Sequence, residues 1–179
     1  MKKNILIGVS ASIAAYKACE LVSLFKKEDF SVKCMMTKGA KEFITPLTLE
    51  TLTENKVSSV MFSLPENRSP EHISLATNAD IILIAPATAD IISKVAGGIC
   101  DDIMTCTICA STKPVVFAPA MNNSMYNNPI IQEKIQYLKD KNYYFIDPIE
   151  GNLACGSKGI GHLAPVSNIV EKVKKILVS

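Results

Sequence analysis

The stretch that most constrains this chain is Val115-Val116-Phe117-Ala118-Pro119-Ala120-Met121-Asn122-Asn123-Ser124-Met125-Tyr126. It opens as a β-branched and aromatic run, too short for a helix and apolar on both faces, the pattern of a buried strand in a parallel sheet. The strand has to stop at Pro119, and a polar loop follows. Asn128-Pro129 then supplies the cap and first-turn residue of a new helix. In an open α/β sheet, loops leaving the carboxyl ends of strands are where ligands bind, so this loop is the first candidate site. A plain strand-to-helix connection accounts for the same residues.

The rest of the chain repeats the alternation. Strands are predicted at residues 4–9, 31–36, 57–62, 80–85 and 143–146. Helices are predicted at 12–27, 46–55, 72–78, 91–96, 101–111 and 129–141, with a closing helix from Val166. Residues 37–43 read as short helical or irregular chain, residues 63–70 as a turn-rich loop, and Gly97-Gly98 as a helix stop. Such alternation predicts an α/β fold, a doubly wound, Rossmann-like parallel sheet in three layers with right-handed crossovers. Residues 147–165 are the exception, Gly-rich and without periodicity, and loops of that length in compact domains are usually functional.

With 179 residues and 48% hydrophobic content, one domain over residues 1–179 has enough material for a substantial core. The 19 basic and 17 acidic residues are interspersed, which leaves no footprint for nucleic acid or an anionic membrane. Met1-Lys2-Lys3 and the apolar run after it imitate a secretory signal, but Ser10 and Ser12 interrupt the run and it leads straight into an amphipathic helix. No apolar stretch is long enough to cross a bilayer. A cytoplasmic protein is therefore expected, its six cysteines reduced.

Several groups are candidates for chemistry. Gly8-Val9-Ser10-Ala11-Ser12-Ile13 joins the first strand to the first helix, where doubly wound folds hold a phosphate on free backbone N–H groups. The glycine pattern of a dinucleotide fingerprint is absent, and Met36-Thr37-Lys38 stands where a ribose-binding carboxylate would be. A mononucleotide-like phosphate fits, as does a tight turn capped by Ser12. Pro86-Ala87-Thr88-Ala89-Asp90 repeats the small-polar theme at another strand end, with Thr88 as a possible cap. Asp102 and Thr105, a helical turn apart, face either the same crevice or solvent. His72 and His162 are too few for a metal site, and none is expected. His72 follows a turn-rich loop and can reach a pocket. Cys106-Thr107-Ile108-Cys109 has redox-motif spacing, yet its apolar helical setting favours core. Cys155 lies in the Gly-rich loop, where an accessible thiol can exchange a proton.

Together these motifs resemble the homo-oligomeric flavin-containing cysteine decarboxylases over essentially the whole length, and most closely the branch acting on 4'-phosphopantothenoylcysteine in coenzyme A biosynthesis. The resemblance rests on residues 8–17, His72, residues 86–90, residues 119–126, and Ala154-Cys155-Gly156-Ser157 with Gly159 and Gly161. It implies a flavodoxin-like fold binding FMN through Gly8, Ser10, Ser12, Thr37, Pro86, Ala87, Thr88, Asp102 and Thr105. It also implies trimers, or dodecamers built from them, with the active site between subunits. His72, Asn122 and Cys155 would be catalytic, and Asn122, Met125, Ala154 and Gly156 would bind substrate. Asp101-Asp102 departs from the Asp-Asn pair of several relatives, which touches one flavin contact. The implied reaction oxidises the substrate thiol transiently to a thioaldehyde, loses carbon dioxide, and re-reduces the enethiol to 4'-phosphopantetheine. No synthetase domain accompanies the chain, so a separate phosphopantothenoylcysteine synthetase is expected. Alternatives are a peptidyl-cysteine decarboxylase of lantibiotic maturation, which lacks the cysteine loop, a non-catalytic phosphatase-inhibiting relative, and a flavin prenyltransferase relative, for which no prenyl-phosphate site is identifiable.

Overall fold

The computed structural model describes residues 2–61, 70–152 and 158–178. Five parallel strands, β1 (Asn4–Val9), β2 (Ser31–Met36), β3 (Ile81–Ala87), β4 (Val115–Pro119) and β5 (Tyr144–Phe145), form one sheet in the order β2-β1-β3-β4-β5. The chain leaves β1 towards one edge to build β2 and then returns to β3 on the other side. The order therefore reverses between β1 and β3, the place where doubly wound sheets open a crevice at their carboxyl edge.

Continuous apolar runs become strands because both faces are covered. Ile5, Ile7 and Val9 of β1, with Leu83 and Ala85 of β3, enter one core beneath helices α1 (Lys17–Lys27) and α8 (Val166–Val178). Leu6, Ile82, Ile84 and Phe117 enter the other, with α3 (Glu71–Asn78), α4 (Ala89–Ala96), α5 (Ile103–Ala110) and α7 (Pro129–Asp140). Phe117 stacks on Phe145 with ring centroids 5.1 Å apart. Each fully buried side chain of this size contributes roughly 1.5–3 kcal/mol, so the two cores hold the sheet edge that carries the loops. Helix α2 (Pro46–Thr53) starts with proline at its first turn, as expected.

The differences from expectation are local. Residues 13–16 form a tighter 3-10 turn before α1, and β3 continues through Pro86 and Ala87 instead of stopping at Ala85. The small strand expected after Val57 is reduced to a single bridge between Met35 and Ser58, and its end lies outside the described residues. The loop after β4 contains a one-turn helix, α6 (Asn123–Tyr126). Residues 147–165 are not irregular throughout, because β6 (Ile149–Asn152) and β7 (Lys158–His162) pair as an antiparallel ribbon. Cys106 is half-buried and Cys109 exposed, so the expected core position of this pair is not what the fold builds. Among the described residues no helix is long and apolar enough to cross a membrane.

Candidate functional site

A cavity of about 540 Å³ opens at the carboxyl edge of the sheet, beside the reversal between β1 and β3. Its size lies within the roughly 300–1,000 Å³ range of small-molecule sites. Ser10, Ala11 and Ser12 form part of its floor, with Thr37, Lys38 and Gly39 on one side and Thr88, Ala89 and Asp90 on the other. Lys94 and Asp102 stand further along, and Ala120, Met121 and Met125 close the apolar side.

Ser10 ties the floor together. Its N–H and its hydroxyl both donate to the Pro86 carbonyl, at 3.3 and 2.7 Å, and its Oγ accepts from the Thr88 N–H at 3.0 Å. The hydroxyl proton is thus committed inside the protein. Ser10 lines the cavity, and these bonds make it a brace between β1 and β3. Ser12 differs: its Oγ accepts from Ala14 N–H at 3.3 Å, capping the 3-10 turn and leaving its own proton unspent among the described residues. Thr37 is similar, accepting from Ala40 N–H at 3.3 Å. The N–H groups of Ala11, Ser12 and Ile13 make no hydrogen bond among the described residues, nor do those of Ala89 and Asp90 at the start of α4. Two helix starts therefore aim backbone donors at one cavity, the arrangement that suits an anion.

The cationic side chains were not picked out by sequence reasoning. Lys94 bridges Asp90 at 3.5 Å and Asp101 at 3.1 Å, and the hydrogen bond it donates to Asp101 holds its ammonium above the usual lysine range. Its spacing from Asp90, four residues along one helix, is the signal that was available. Gly39 is required for close approach, since a Cβ there would sit 2.9 Å from Ala11 Cβ.

Four expected cofactor contacts are placed elsewhere. Gly8 lies inside the sheet, where a Cβ would meet Ile84 Cδ1 at 2.6 Å, so its lack of a side chain serves packing under α5. Pro86 and Ala87 do not line the cavity, although their carbonyls hold Ser10 and the Ala120 N–H in position. Thr105 is 1% exposed and forms a reciprocal capping box with Asp102, donating to and accepting from it. Asp102 remains at the wall, with Oδ1 already accepting from Thr105 N–H at 2.7 Å.

The mouth is built from the loop after β4. Asn122 caps α6, its Oδ1 accepting from Ser124 N–H at 2.8 Å, which fixes the amide plane. Asn123, given no separate role by the sequence, accepts from Ile160 N–H at 3.1 Å and from Asn127 at 2.9 Å. Met121 N–H donates to the Gly161 carbonyl at 3.0 Å. Gly161 has φ +139 and a Cβ there would lie 2.2 Å from the Met121 carbonyl oxygen, so only glycine fits. The ribbon is thereby fastened to the Asn122 turn. His72 sits half-buried in the first turn of α3; α3 runs antiparallel to the β3 it precedes, so its start lies at the same sheet edge, but His72 does not line this chain's cavity. Cys155, Ala154 and Gly156 lie outside the described residues, in the segment between β6 and β7. Among the described residues no group of side chains is arranged to hold a metal ion.

A phosphorylated planar ring fits this cavity by the chemistry of its lining. One end offers unspent backbone N–H groups, two hydroxyls and the Lys38 ammonium, Lys94 being paired with Asp90 and Asp101, and the other offers methionine and alanine surface.

Comparison with known proteins agrees. The chain is 48% identical over 169 residues, 94% of its length, to a coenzyme A biosynthesis bifunctional protein CoaBC of Borreliella burgdorferi, but spans only 43% of that relative. It is 43% identical to a probable phosphopantothenoylcysteine decarboxylase of Streptococcus mutans, covering 99% of this chain and 100% of the relative. A solved structure of a PPC decarboxylase mutant complexed with pantothenoylaminoethenethiol superposes with TM-score 0.88 at 33% identity, covering 100% of both chains. The Flavoprotein family profile matches residues 1–178, and the chain belongs to that family.

Proposed function

We propose that this chain is an FMN-dependent phosphopantothenoylcysteine decarboxylase, converting 4'-phosphopantothenoylcysteine to 4'-phosphopantetheine in the cytoplasm, with a phosphopantothenoylcysteine synthetase supplying its substrate. The observation that carries the reading is a cavity that joins the unspent N–H groups and hydroxyls of its floor to Met121 and Met125, which flank Asn122 in the loop after β4. The similarity to relatives named for this activity supports it.

The FMN phosphate would rest on the N–H groups of residues 11–13 and the hydroxyls of Ser12 and Thr37, with the ring against Ala120 and Met121. Bound flavin supplies a two-electron sink, which no side chain offers and which removal of a carboxylate next to a thiol-bearing carbon requires. The protein's own work is orientation and proton handling. Asn122, its amide plane set by Ser124, offers N–H donors to the substrate carboxylate without the full strength of a cation, so that loss of the carboxylate is not opposed. Met125 packs the substrate chain beside it, and residues 147–165 act as the substrate-binding segment. Cys155 gives the late proton that completes the product. His72 handles charge at the reacting end. Because His72 stands outside this chain's cavity, the working site is completed between subunits of a trimer, alone or within a dodecamer.

Purified protein should be yellow and should release carbon dioxide from phosphopantothenoylcysteine. Cys155→Ser should retain flavin but accumulate an oxidised enethiol. Release of normal product by that variant would remove the proton-donor role of Cys155. Colourless protein that takes up no FMN would end the whole reading.

A further inference from the structure

His72 stands in the first turn of α3, the end of that helix with least to hold it. Pro70 occupies the cap position and makes no side-chain hydrogen bond there, and the buried side chains Leu75 and Ala76 come a turn later. A helix start leaves backbone N–H groups without partners and opens at lower free energy than a core. The first turn therefore takes its position from what its own side chains reach.

Glu71 reaches Ser58. The Ser58 hydroxyl donates to the Glu71 carboxylate, and a hydrogen bond to a charged acceptor is roughly twice as strong as one between neutral groups. Ser58 is itself fixed. It is 5% exposed, its N–H donates to the Cys34 carbonyl at 3.1 Å, and its carbonyl accepts from Met36 N–H at 2.9 Å, which seats it on the outer edge of β2. Thr37, next after Met36, lines the cavity. The helix dipole favours an acidic residue in a first turn whichever way it points, but the half-buried Glu71 carboxylate, held on a buried hydroxyl of another segment, has a set direction. His72 leaves the helix about 100° round from Glu71, so the bond that places one side chain places the other.

We propose that Ser58 is a positioning residue for His72, holding the first turn of α3 against the edge of β2 through Glu71 so that the imidazole keeps one direction at the carboxyl edge of the sheet. Ser58 does not line the cavity and acts only through the helix. The inference rests on the role given to His72 above. Without the hydroxyl, the carboxylate turns to water, the first turn loosens, and the imidazole spends less time where it handles charge. Asn122 and Met125, in the loop after β4, are untouched. The loss therefore falls on kcat, and KM and flavin content stay as they are.

The test compares Ser58→Ala and Glu71→Gln with the parent, each as the purified, flavin-loaded full chain. Ser58→Ala should keep its flavin and its KM and lose kcat by up to about 100-fold, the cost of a displacement of about 1 Å in an active site. Glu71→Gln, which keeps an acceptor oxygen for the Ser58 hydroxyl, should retain most of kcat. A second readout needs no activity. The two histidines fall in separate tryptic peptides, residues 69–94 and 159–172, so the rate at which diethyl pyrocarbonate modifies each is read by mass after digestion. Ser58→Ala should speed modification of His72 several-fold and leave His162 as in the parent. A parental kcat, an unchanged His72 rate or a loss of flavin in Ser58→Ala overturns the proposal. An active enzyme unimpaired by His72→Ala removes the role of His72 and the proposal with it, whereas one disabled by His72→Ala but indifferent to Ser58→Ala removes the proposal alone.

Discussion

The floor and the mouth of the cavity are built by opposite means. At the floor, Ser10 makes three hydrogen bonds to β3 and the residue that follows it, and Ala120 N–H donates to the Ala87 carbonyl, all between strands whose side chains are fully buried. At the mouth, the ribbon is attached to the Asn122 turn by the Met121–Gly161 and Asn123–Ile160 bonds, over glycines 159 and 161. The difference teaches where rigidity is needed. A cofactor that stays bound belongs on the cooperative core of the sheet, and a substrate that enters and leaves belongs under an element of low local stability.

Gly161→Ala should separate the two regions most sharply. A Cβ pressed against the Met121 carbonyl must displace the ribbon, and a misplacement of about 1 Å in an active site costs on the order of 100-fold in rate. Steady-state kcat/KM should fall by about that factor while the ratio of flavin to protein absorbance is unchanged. Loss of flavin in this variant would erase the contrast. Ser10→Ala attacks the floor instead, leaving the half-buried Thr88 N–H without its acceptor. Denaturant unfolding should then show a loss of about 1–3 kcal/mol, accompanied by weaker flavin retention. Asn123→Ala removes one bond to the ribbon, so kcat/KM should drop by the equivalent of about 1 kcal/mol, with the melting temperature of the flavin-free protein unchanged. A fall in that temperature would tie the ribbon to the global fold.

The smallest expected effect lies beneath the floor. Burial raises the Cys34 thiol, with nearby Cys19 adding to the shift, so the folded pKa exceeds the unfolded one. Its contribution is complete below the unfolded value near 8.5 and is lost as pH rises above it, by less than about 1 kcal/mol at pH 9. Unfolding midpoints measured between pH 7 and 9 should decline accordingly and flatten in Cys34→Val. An unchanged slope in that variant would assign the decline to other groups.

Much of the floor was legible in the chain because local rules and tertiary needs coincide there. Short apolar runs ended by small polar residues mark strand ends, and Ser12, Thr88 and Asp102 are cap-type residues that do cap helices. Roles within that set were less legible. Whether the hydroxyl of Ser10 or of Thr105 turns towards the cavity or towards protein depends on which carbonyl lies opposite, and this comes from another strand or from the helix itself. The ribbon was unreadable for a different reason. Its strands carry glycine where an alternating apolar pattern would announce a strand, and the contacts that select it come from residues some forty positions earlier. Cys106 and Cys109 misled because an apolar helix was taken as buried all round, whereas α5 covers the core with Ile103, Met104 and Ile108 and turns these thiols outward.

By itself the sequence determined the layered α/β architecture, the strand ends that carry loops, and the kinds of side chain available there, because periodicity, capping and strand propensity act over a few residues. Tertiary structure alone decided that the Ser10 hydroxyl braces β1 against β3, that Lys94 joins the wall, and that the ends of the Gly-rich segment pair into a ribbon. Those outcomes depend on distances between residues remote in the chain, which are set only when the two cores close on the sheet.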